Sequence, residues 1–476
     1  MLTSLDFLAP GQPWPPQSEI ERLKLYEKNR QLFEGKHNRR FAYLMKFLQN
    51  NQKNILDIVL NWYKRLSLLW ADLLVGEPPK FTAGDIESDE QKALSLYTGS
   101  NFLNTVYEGI IDISSLGNGI FKIRYDGKVI IEGQNPSIWF PVTQPNNNKE
   151  IQYHVLAWSY KVLEGKKEQS YLQVEIHEKG VITTRKYELT DAETECKIGT
   201  LIEEDFTNTG IDDFLVISVS NLTTTNRITG IDDYSDLSPL IEEMENRITR
   251  LSQIFNKHSD PNMYGPADAM DTDPNTNETS FKGGGGYFPV ERGEQPPGYV
   301  TWDGNVDGCF RELEFLMDQL YALSETCPAA FGQSKTGQAE SGTSLRLRMF
   351  APLAKVNRFK MRLDPAIKEI LSIASELDRI NGGGIEIPEE KISILWQDGL
   401  PSDAKELADI MNIRTGGKAT ISQETAIRQQ DNLSDADVQK EIERIQMDEI
   451  QNNPISPSVF SMGEQQDNVA DNNLPQ

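Results

Sequence analysis

The chain has 476 residues, of which 38% are hydrophobic and 25% are charged, and its formal net charge at neutral pH is −25. This length exceeds what a single hydrophobic core supports, so we expect several packed units, and the composition excludes an intrinsically disordered chain. The acidic balance disfavours a protein that clamps nucleic acid, because Lys and Arg supply most of the non-specific affinity for phosphate.

The sequence shows no strong pattern for a membrane span, a disulfide framework or a metal site. No apolar run is long enough to cross a bilayer, and the first ten residues lack the basic start and apolar core of a signal peptide, so we expect folding in a cytoplasm. Three widely spaced cysteines without a C-x-x-C pair predict buried thiols: Cys196, Cys309 and Cys327. Four scattered histidines without ligand spacing predict structural roles: His37, His154, His177 and His258.

The first eighty residues predict an arm followed by two helices. Four prolines favour an extended N-terminal arm over residues 1–18. Ser18 and Glu21 have the spacing of a capping box for a first helix. A second helix is predicted from about Asn50 to Leu74, ended by Gly76-Glu77-Pro78-Pro79.

Between Asn118 and Tyr187 the hydrophobic period changes to two, which predicts a largely antiparallel sheet. The strand-like runs are Ile120 to Tyr125, Val129 to Glu132, Val155 to Tyr160, Tyr171 to His177 and Val181 to Tyr187. Phe214 to Val219 is a further strand-like run.

Two helices with coiled-coil-like seams follow and bracket an insert at residues 260–308. The first seam is Leu237, Ile241, Met244, Ile248, Leu251 and Phe255, and the second is Leu313, Leu316, Leu320 and Leu323. The spacing predicts that each helix packs against a neighbouring helix.

After the second seam the polar run from Ala329 to Gly342 predicts a mobile loop. A long helix is then predicted from Thr343 to Ile380, kinked at Pro352 and broken or bent at Pro365. Three glycines, 382–384, end it. The remaining predictions are a strand from Ile385 to Trp396, helices from Asp403 to Ile445 and a disordered tail from Gln451.

Eight short motifs, taken in order, resemble the portal protein family of tailed double-stranded DNA phages, of the long-tailed siphophage type. The resemblance depends on the order of the motifs along the chain rather than on any single one, and it covers roughly residues 20 to 450. The motifs are Leu74 to Pro79, Gly117-Asn118-Gly119, the Asn135-Pro136-Ser137 proline of a strand, Gly230 to Leu237 before a helix, Cys327-Pro328, Glu340 to Ser344, Ile394 to Pro401 and Ile421 to Thr425.

The resemblance implies an α+β, multidomain fold and a homo-oligomeric ring, usually of twelve copies. The implied parts are the arm (1–18), a wing of helices and sheet (19–233), a two-helix stem (234–258 and 309–327), a clip (259–308), a tunnel loop (328–342), a long kinked helix with a return strand to the wing (343–400), a helical crown (401–450) and a disordered tail (451–476).

The implied function is a portal, or head–tail connector, through which DNA enters and leaves the capsid. The implied partners are double-stranded DNA, held transiently and without sequence preference, the terminase large subunit, a head-completion adaptor, and the major capsid and scaffolding proteins. No membrane contact or cofactor is implied. The location is the capsid vertex of the virion, reached from the host cytoplasm during assembly.

Two sets of residues are candidates for contact with DNA. The tunnel loop provides polar side chains and one cation: Gln333, Ser334, Lys335, Thr336 and Gln338. The following helix has an excess of bases, of which four are candidate phosphate contacts: Arg346, Arg348, Lys355 and Arg358. For the loop, the alternative is a merely flexible surface loop. For the helix, the alternatives are a solvated face or salt bridges to an acidic neighbouring subunit, since helical spacing cannot place Lys360, Arg362 and Lys368 on the same side as the other four bases.

Catalytic motifs are missing from the sequence, so we expect no enzymatic activity and a separate ATPase as the source of packaging energy. The glycine run 283–286 and the segment 416–420 lack the frame of a phosphate-binding loop, and the acidic series at 271–277 lacks the offsets of a calcium loop. The alternatives are an enzymatic DNA-packaging component and another head or tail structural ring.

Overall fold

The computed structural model describes residues 2–37, 58–84, 88–165, 167–191, 196–258, short segments between 263 and 299, and then 306–333, 342–397, 399, 404–416, 419–431 and 435–452. The chain divides into two units, residues 1–401 and 402–476. Both helices and sheets are present, which confirms the α+β class. Among the described helices none is long and apolar enough to cross a membrane.

Two helices open the first unit. Helix α1 (Ile20–Phe33) follows a 3-10 turn, and the predicted capping box is wrong: the N-cap is Glu19, whose side chain caps no amide. The turn itself supplies the first backbone bond, from the Glu19 amide to the Pro16 carbonyl at 2.9 Å. Helix α2 (Trp62–Val75) is capped by Asn61 and ends at Gly76, as predicted. Of its predicted first part, residues 50–57 lie outside the described residues, and the prediction is wrong for residues 58–61, which are not helical because Asn61 caps the helix that begins at Trp62.

A small three-stranded sheet packs against helices. After α3 (Asp89–Tyr97) and α4 (Ser100–Leu116), the left-handed Gly117 (φ 84°) leads directly into β2 (Asn118–Tyr125). Strand β2 lies between β3 (Val129–Gln134) and β9 (Val216–Ser220), antiparallel to both. A separate pair joins β1 (Lys80–Ala83) to β15 (Ile392–Leu395).

A larger antiparallel sheet has the order β4-β5-β6-β7-β8, which confirms the predicted antiparallel sheet. Its strands are β4 (Trp139–Gln144), β5 (Asn147–Glu164), β6 (Lys167–Glu178), β7 (Val181–Asp191) and β8 (Cys196–Asn208). The outer strands β4 and β8 were not predicted. Pro136 lies in a 3-10 turn (Pro136–Ile138) and not in a strand, because Asn135 caps that turn through the Ser137 amide.

The first residues cross this larger sheet from edge to edge, and we call residues 2–14 the strap. Leu2 bridges to Val142 on β4, and the Trp14 amide donates to the Cys196 carbonyl on β8 at 2.9 Å. Between them a 3-10 turn (Leu5–Leu8) places Leu8 in the apolar core of the sheet. The arm does not form an α-helix, in agreement with the prediction. It contacts the five-stranded sheet along its length.

Two longer helices bracket the insert. They are α5 (Ser238–His258) and α6 (Val306–Leu323). The seam of α5 is buried at Leu237, Ile241, Met244 and Leu251, whereas Phe255 is half exposed. In α6 the seam ends at Leu320, and the prediction for Leu323 is wrong: Leu323 is 57% exposed and Ser324 turns inward instead, because a straight helix repeats every 3.6 residues rather than 3.5.

The described part of the insert consists of short strands. They are β10 (Met263–Pro266), β11 (Met270–Thr272), β12 (Thr279–Phe281), β13 (Tyr287–Val290) and β14 (Gly298–Tyr299). Strand β10 lies between β13 and β14, and β11 pairs with β12. These pairings fit a small excursion between the two bracketing helices.

The predicted long helix is interrupted within one turn of Pro352, close to the predicted kink, because the proline ring crowds the carbonyl of Arg348 four residues earlier. It forms α7 (Gly342–Arg348) and α8 (Phe350–Gly382), separated by a turn at Met349. Pro352 lies in the first turn of α8, where its missing N–H has no partner to lose. The prediction of a break at Pro365 is wrong, because α8 continues through it. Pro365 cannot donate a hydrogen bond to the Met361 carbonyl, but both residues are exposed, so water can bond that carbonyl instead. Left-handed Gly383 ends the helix as predicted.

One apolar core holds together what we call the helical body, which consists of α2, α3, α4, α8 and the three-stranded sheet. The strand predicted from Ile385 to Trp396 is limited to β15. In the second unit the helices are α9 (Ala404–Thr415), α10 (Gln423–Asp431) and α11 (Asp435–Asn452). The tail from residue 453 lies outside the described residues.

Candidate functional site

A buried ion pair lies where α8 meets the segment that precedes α5. Lys355 Nζ is 2.9 Å from Asp233 Oδ1, and each side chain is about 10% exposed. The ammonium also lies 4.6 Å from the centre of the Trp70 ring of α2. A buried charge pair is tolerated only when further hydrogen bonds satisfy both partners, and the surroundings of Asp233 provide them.

Two further segments donate hydrogen bonds to the Asp233 carboxylate, and a third supports one of the donors. Ser114 Oγ of α4 donates to Oδ2 at 2.7 Å, and Asn221 Nδ2, just after β9, donates to Oδ1 at 2.9 Å. Ser67 Oγ of α2 donates to Ser114 Oγ at 3.0 Å. We call these four residues, together with Lys355, the hub. The hub joins α2, α4, the end of β9, the start of α5 and α8.

The residues beside Asp233 shape the turn into α5. Asp232 Oδ1 accepts from the amides of Tyr234 at 2.9 Å and Ser235 at 2.7 Å. The Tyr234 hydroxyl bonds the Tyr63 carbonyl at 3.0 Å and Ser67 Oγ at 2.6 Å. Burial raises the pKa of the Tyr234 hydroxyl, so it stays protonated. The acidic dipeptide in this motif therefore has two roles, one in the turn and one in the hub.

Two glycine motifs meet at this place. A Cβ added to Gly230 would overlap the Gly117 carbonyl, and one added to Gly117 would approach the Gly230 carbonyl. The Gly230 amide donates to Asn118 Oδ1 at 3.0 Å, and the Asn221 amide donates to the Gly117 carbonyl at 2.8 Å. The backbone contact requires glycine on both sides.

A polar cleft of about 150 Å³ opens beside the hub. Its acids are Asp232, Asp233, Asp236 and Glu325, and its bases are Lys355, Arg358 and Arg362. Arg358 pairs with Glu325, which has left-handed backbone (φ 58°), and Arg362 donates to the Asn221 carbonyl. Burial, together with the charge of Arg358, lowers the pKa of Arg362. With four acids and three bases, the cleft has a formal charge of −1, and most of its charges are compensated within the subunit.

Of the five predicted loop residues, the structure describes Gln333, whose Oε1 accepts from the Tyr321 hydroxyl at 3.2 Å. Ser334, Lys335, Thr336 and Gln338 lie outside the described residues. The segment before them forms a 3-10 turn (Pro328–Phe331), and Phe331 stacks with Trp62 and Tyr321. Aromatic packing therefore fixes the start of the predicted tunnel loop against α2 and α6.

The predicted basic residues point in different directions. Arg346 is exposed and Arg348 half-buried on α7, whereas Arg358 pairs with Glu325. The prediction for Lys355 is wrong, because its ammonium is buried in the hub and cannot reach a phosphate. Lys360 donates to the Gln397 carbonyl at 2.8 Å, and Lys368 pairs with Asp364 at 2.7 Å.

The histidines and cysteines hold no metal in the described part of the chain, where no group of three His, Cys, Asp or Glu side chains has ligand geometry. His37 pairs with Glu245 at 2.6 Å, His154 accepts from the Trp139 indole at 3.1 Å, and His177 bonds Glu175 at 3.2 Å. The three cysteines are partly buried rather than fully buried.

The hub itself was missed by the sequence reasoning. The segment Gly230 to Leu237 was recognised only as the start of a helix, and Lys355 only as one of seven bases. The Asp-Asp-Tyr tripeptide next to a required glycine was an available signal, since consecutive acids before a helix often cap it and one of them then needs another partner.

Comparison with known proteins identifies the chain by family. A family model described as phage portal protein, SPP1 Gp6-like, matches residues 16–454. The match contains both bracketing helices, the insert, the hub and the predicted tunnel loop. No curated protein shows significant similarity to the chain.

Proposed function

The chain belongs to the SPP1 Gp6-like family of phage portal proteins, and we propose that twelve copies form a passive conduit for double-stranded DNA. It is a head–tail connector subunit of the virion, located at a capsid vertex, and the family match over residues 16–454 carries this conclusion. Twelve copies at −25 each give about −300 charges, which favours sliding over adhesion.

The proposed parts are the wing (19–233), the stem (234–258 and 309–327), the clip (259–308), the tunnel loop (328–342), the long helix (343–400) and the crown (401–450). The hub supports this division, because its hydrogen bonds tie the start of the first stem helix to wing helices and to α8. Stem helices from neighbouring copies would enclose the channel, and the hub would keep each stem at a fixed position.

The proposed DNA contacts are the tunnel-loop residues and two bases of α7, and they are weak and independent of sequence. The residues are Gln333, Ser334, Lys335, Thr336, Gln338, Arg346 and Arg348. Arg358 has a lower rank because it pairs with Glu325, and Lys355 is excluded. Few cations suit a conduit, since every added phosphate contact strengthens binding and its salt dependence.

The proposed partners follow from the portal role. The clip docks the terminase large subunit, which supplies the packaging energy, and later the head-completion adaptor. The wing contacts the major capsid and scaffolding proteins during assembly in the host cytoplasm. The subunit itself uses no cofactor and catalyses no reaction.

Light scattering and class-averaged electron micrographs of the purified full-length protein test the conduit. A ring of about twelve subunits with a hole wide enough for duplex DNA, about 20 Å across, is the expected result. A monomer or dimer at every concentration would contradict it, and ATP hydrolysis by the pure protein would favour an enzymatic packaging component.

The DNA contacts are tested on the same rings by packaging or by fluorescence anisotropy with duplex DNA at low salt. Lys335→Ala combined with Arg346→Ala should weaken binding several-fold and reduce its salt dependence by about one counterion per charge removed. Lys368→Ala is the matched control, because Lys368 is half-buried beside Asp364. If Lys368→Ala weakens DNA binding as much as the double change does, Lys335 and Arg346 are not DNA contacts in the channel.

A further inference from the structure

The strap protects only part of each edge of the five-stranded sheet. On β4 the Thr143 amide donates to the Leu2 carbonyl at 2.9 Å. On β8 the Ile198 amide donates to the Gln12 carbonyl, and Ile198 accepts from the Gly11 amide. Within the described residues no strand pairs with the outer edge of β8 beyond Gly199. Residues 200–208 thus form one open edge.

This open edge carries exposed apolar side chains on both sides of an acidic run, Glu203 to Asp205. Every residue from Thr200 to Asn208 is exposed, and the exposed side chains include Leu201, Ile202 and Phe206. Phe206 is 62% exposed. An exposed strand with free backbone groups and apolar side chains is a template for the addition of another strand.

The opposite edge of the same sheet has a second open segment. Strand β4 pairs with β5 only up to Leu156, so residues 157–164 of β5 extend past it. This segment also carries exposed apolar side chains, Val162 and Leu163. The two open segments have similar lengths and both lie outside the parts that the strap or β4 covers.

The strand directions of the two segments are complementary, and the acids of β8 have lysine counterparts in the hairpin that ends β5. Neighbouring strands alternate from β5 to β8, so β5 and β8 run in opposite directions. A second copy placed beside the first would therefore bring its β5 antiparallel to β8. Since Glu204 and Ala157 are level across the sheet, the second copy must also be shifted by about three residues along the strands for the two open segments to pair over their full length. Glu203 and Asp205 lie together on one face of β8, where Glu203 faces Lys186 of β7. Lys161 and Lys167 lie in the hairpin that ends β5, and Lys161 pairs with Glu168 at 3.1 Å within the copy.

We propose that residues 200–208 of one copy pair antiparallel with residues 157–164 of the next copy. The contact joins two different surfaces of the same chain, and such head-to-tail contacts close into rings when the rotation fits. The proposal deepens the conduit and rests on the ring proposed above. The continuous sheet gives the wings a subunit contact separate from the stem helices.

Cysteine cross-linking tests the contact in a background where Cys196, Cys309 and Cys327 are replaced by Ser. Glu203→Cys is combined in turn with Lys161→Cys, Val162→Cys and Leu163→Cys, because adjacent registers differ by one residue. Within one copy three strand spacings of roughly 4.8 Å separate β5 from β8, which is too far for a disulfide. Every disulfide between these positions therefore joins two copies.

The expected result is a ladder of covalent oligomers on a non-reducing gel from at least one pair. Glu203→Cys with Glu178→Cys is the matched control, because Glu178 is exposed but lies on the central strand β6. A control ladder of equal strength would overturn the proposal, since random collisions would then explain it.

Electron micrographs of the same samples separate the two proposals. Rings without a ladder from any pair would refute the sheet contact and leave the conduit standing. A ladder without closed rings would support the sheet contact and refute the ring. Neither rings nor a ladder would refute both.

Charge reversal gives a second measurement that does not need cross-linking. Glu203→Lys with Asp205→Lys should raise the protein concentration at half-assembly by roughly threefold to tenfold, and adding Lys161→Glu with Lys167→Glu should restore much of it. Glu178→Lys is the control. An unchanged midpoint in the first variant counts against the proposed pairing.

Discussion

In the helical body the segments around α8 are joined by a buried charge pair. The strap is instead joined to the five-stranded sheet by backbone hydrogen bonds at the two edges and by apolar contacts between them. Asp233 and Lys355 are fixed by their own ion pair and by directional hydrogen bonds from two other segments, at Ser114 and Asn221. Leu2 and Leu8 instead pack on a sheet core that includes Phe140 and Val155. The first arrangement specifies position, and the second mainly buries surface.

This difference predicts where the molecule is sensitive. A directional pair fails when one partner is removed, because the other charge stays buried and unpaired. An apolar contact weakens in proportion to the surface and cavity left behind. We therefore expect substitutions in the hub to disturb several segments together and substitutions in the strap to act on the sheet alone.

The largest effect is expected for Lys355→Ala, which leaves Asp233 without its cation. The free energy of unfolding should fall by about 4 kcal/mol, measured by urea unfolding at fixed protein concentration. The double variant Asp233→Asn with Lys355→Met should recover more than half. Lys368→Ala, at a more exposed pair, should cost about 0.5 kcal/mol. Equal decreases in the free energy of unfolding for Lys355→Ala and Lys368→Ala would show that the hub contributes no more to stability than an exposed ion pair.

Gly230→Ala should cost about 3 kcal/mol, because the added methyl group meets backbone that cannot rotate away. Hydrogen exchange should increase in both β2 and the first turn of α5, since the contact joins them. Gly133→Ala is the control, where a Cβ meets open space apart from one methyl group at 3.9 Å. An equally stable Gly230→Ala protein would mean that the two backbones can separate freely.

Leu8→Ala should cost about 2.5 kcal/mol through the lost burial and the cavity. Hydrogen exchange should rise in β4–β8 while α8 keeps its protection. Leu5→Ala, at a partly buried position of the same turn, should cost less. Faster exchange in α8 as well would break the proposed separation between strap and hub.

Acid should weaken the sheet before the helical body. Burial, and then the charge of nearby His177, lowers the pKa of His154 from 6.5 to about 3. The unfolded chain therefore binds a proton below pH 6.5 that the folded chain does not, and stability falls as the pH drops. At pH 5 the loss is about 2 kcal/mol.

His154→Asn removes this titration while it keeps an acceptor for the Trp139 indole, so its stability should change less between pH 7 and pH 5. The pKa of Glu175 is lowered to about 2, since the bond from His177 and the charge of Lys122 outweigh its burial, and this contribution disappears only below pH 4.5. Identical pH profiles for the two proteins would exclude His154 as the acid-sensitive group.

The sequence predicted the regular parts of both regions but not what joins them. The alternation of apolar and polar residues predicted β5, β6 and β7, because the side chains on one face of these strands are buried. Strand β8 shows no such alternation, since it is exposed on both faces beyond Gly199. Its pairing comes from β7 rather than from its own pattern.

The contacts between distant residues explain the remaining errors. Lys355 was predicted to touch phosphate because its partner lies 122 residues away in sequence. The strap was predicted to be extended from its prolines, but its partners Val142 and Cys196 are far along the chain. Gln333 is the one predicted loop residue that the structure describes, and its bond to Tyr321 was not foreseen.

The strap also fixes an order of events during synthesis. Its residues leave the ribosome before their partners, because Leu2 and Thr143 are separated by 141 positions and Trp14 needs Cys196. The strap can dock only after β8 has emerged, so the apolar face that contains Phe140 and Val155 stays uncovered until then. The sheet edges are closed last, and a nascent chain therefore presents them to its neighbours on the same message.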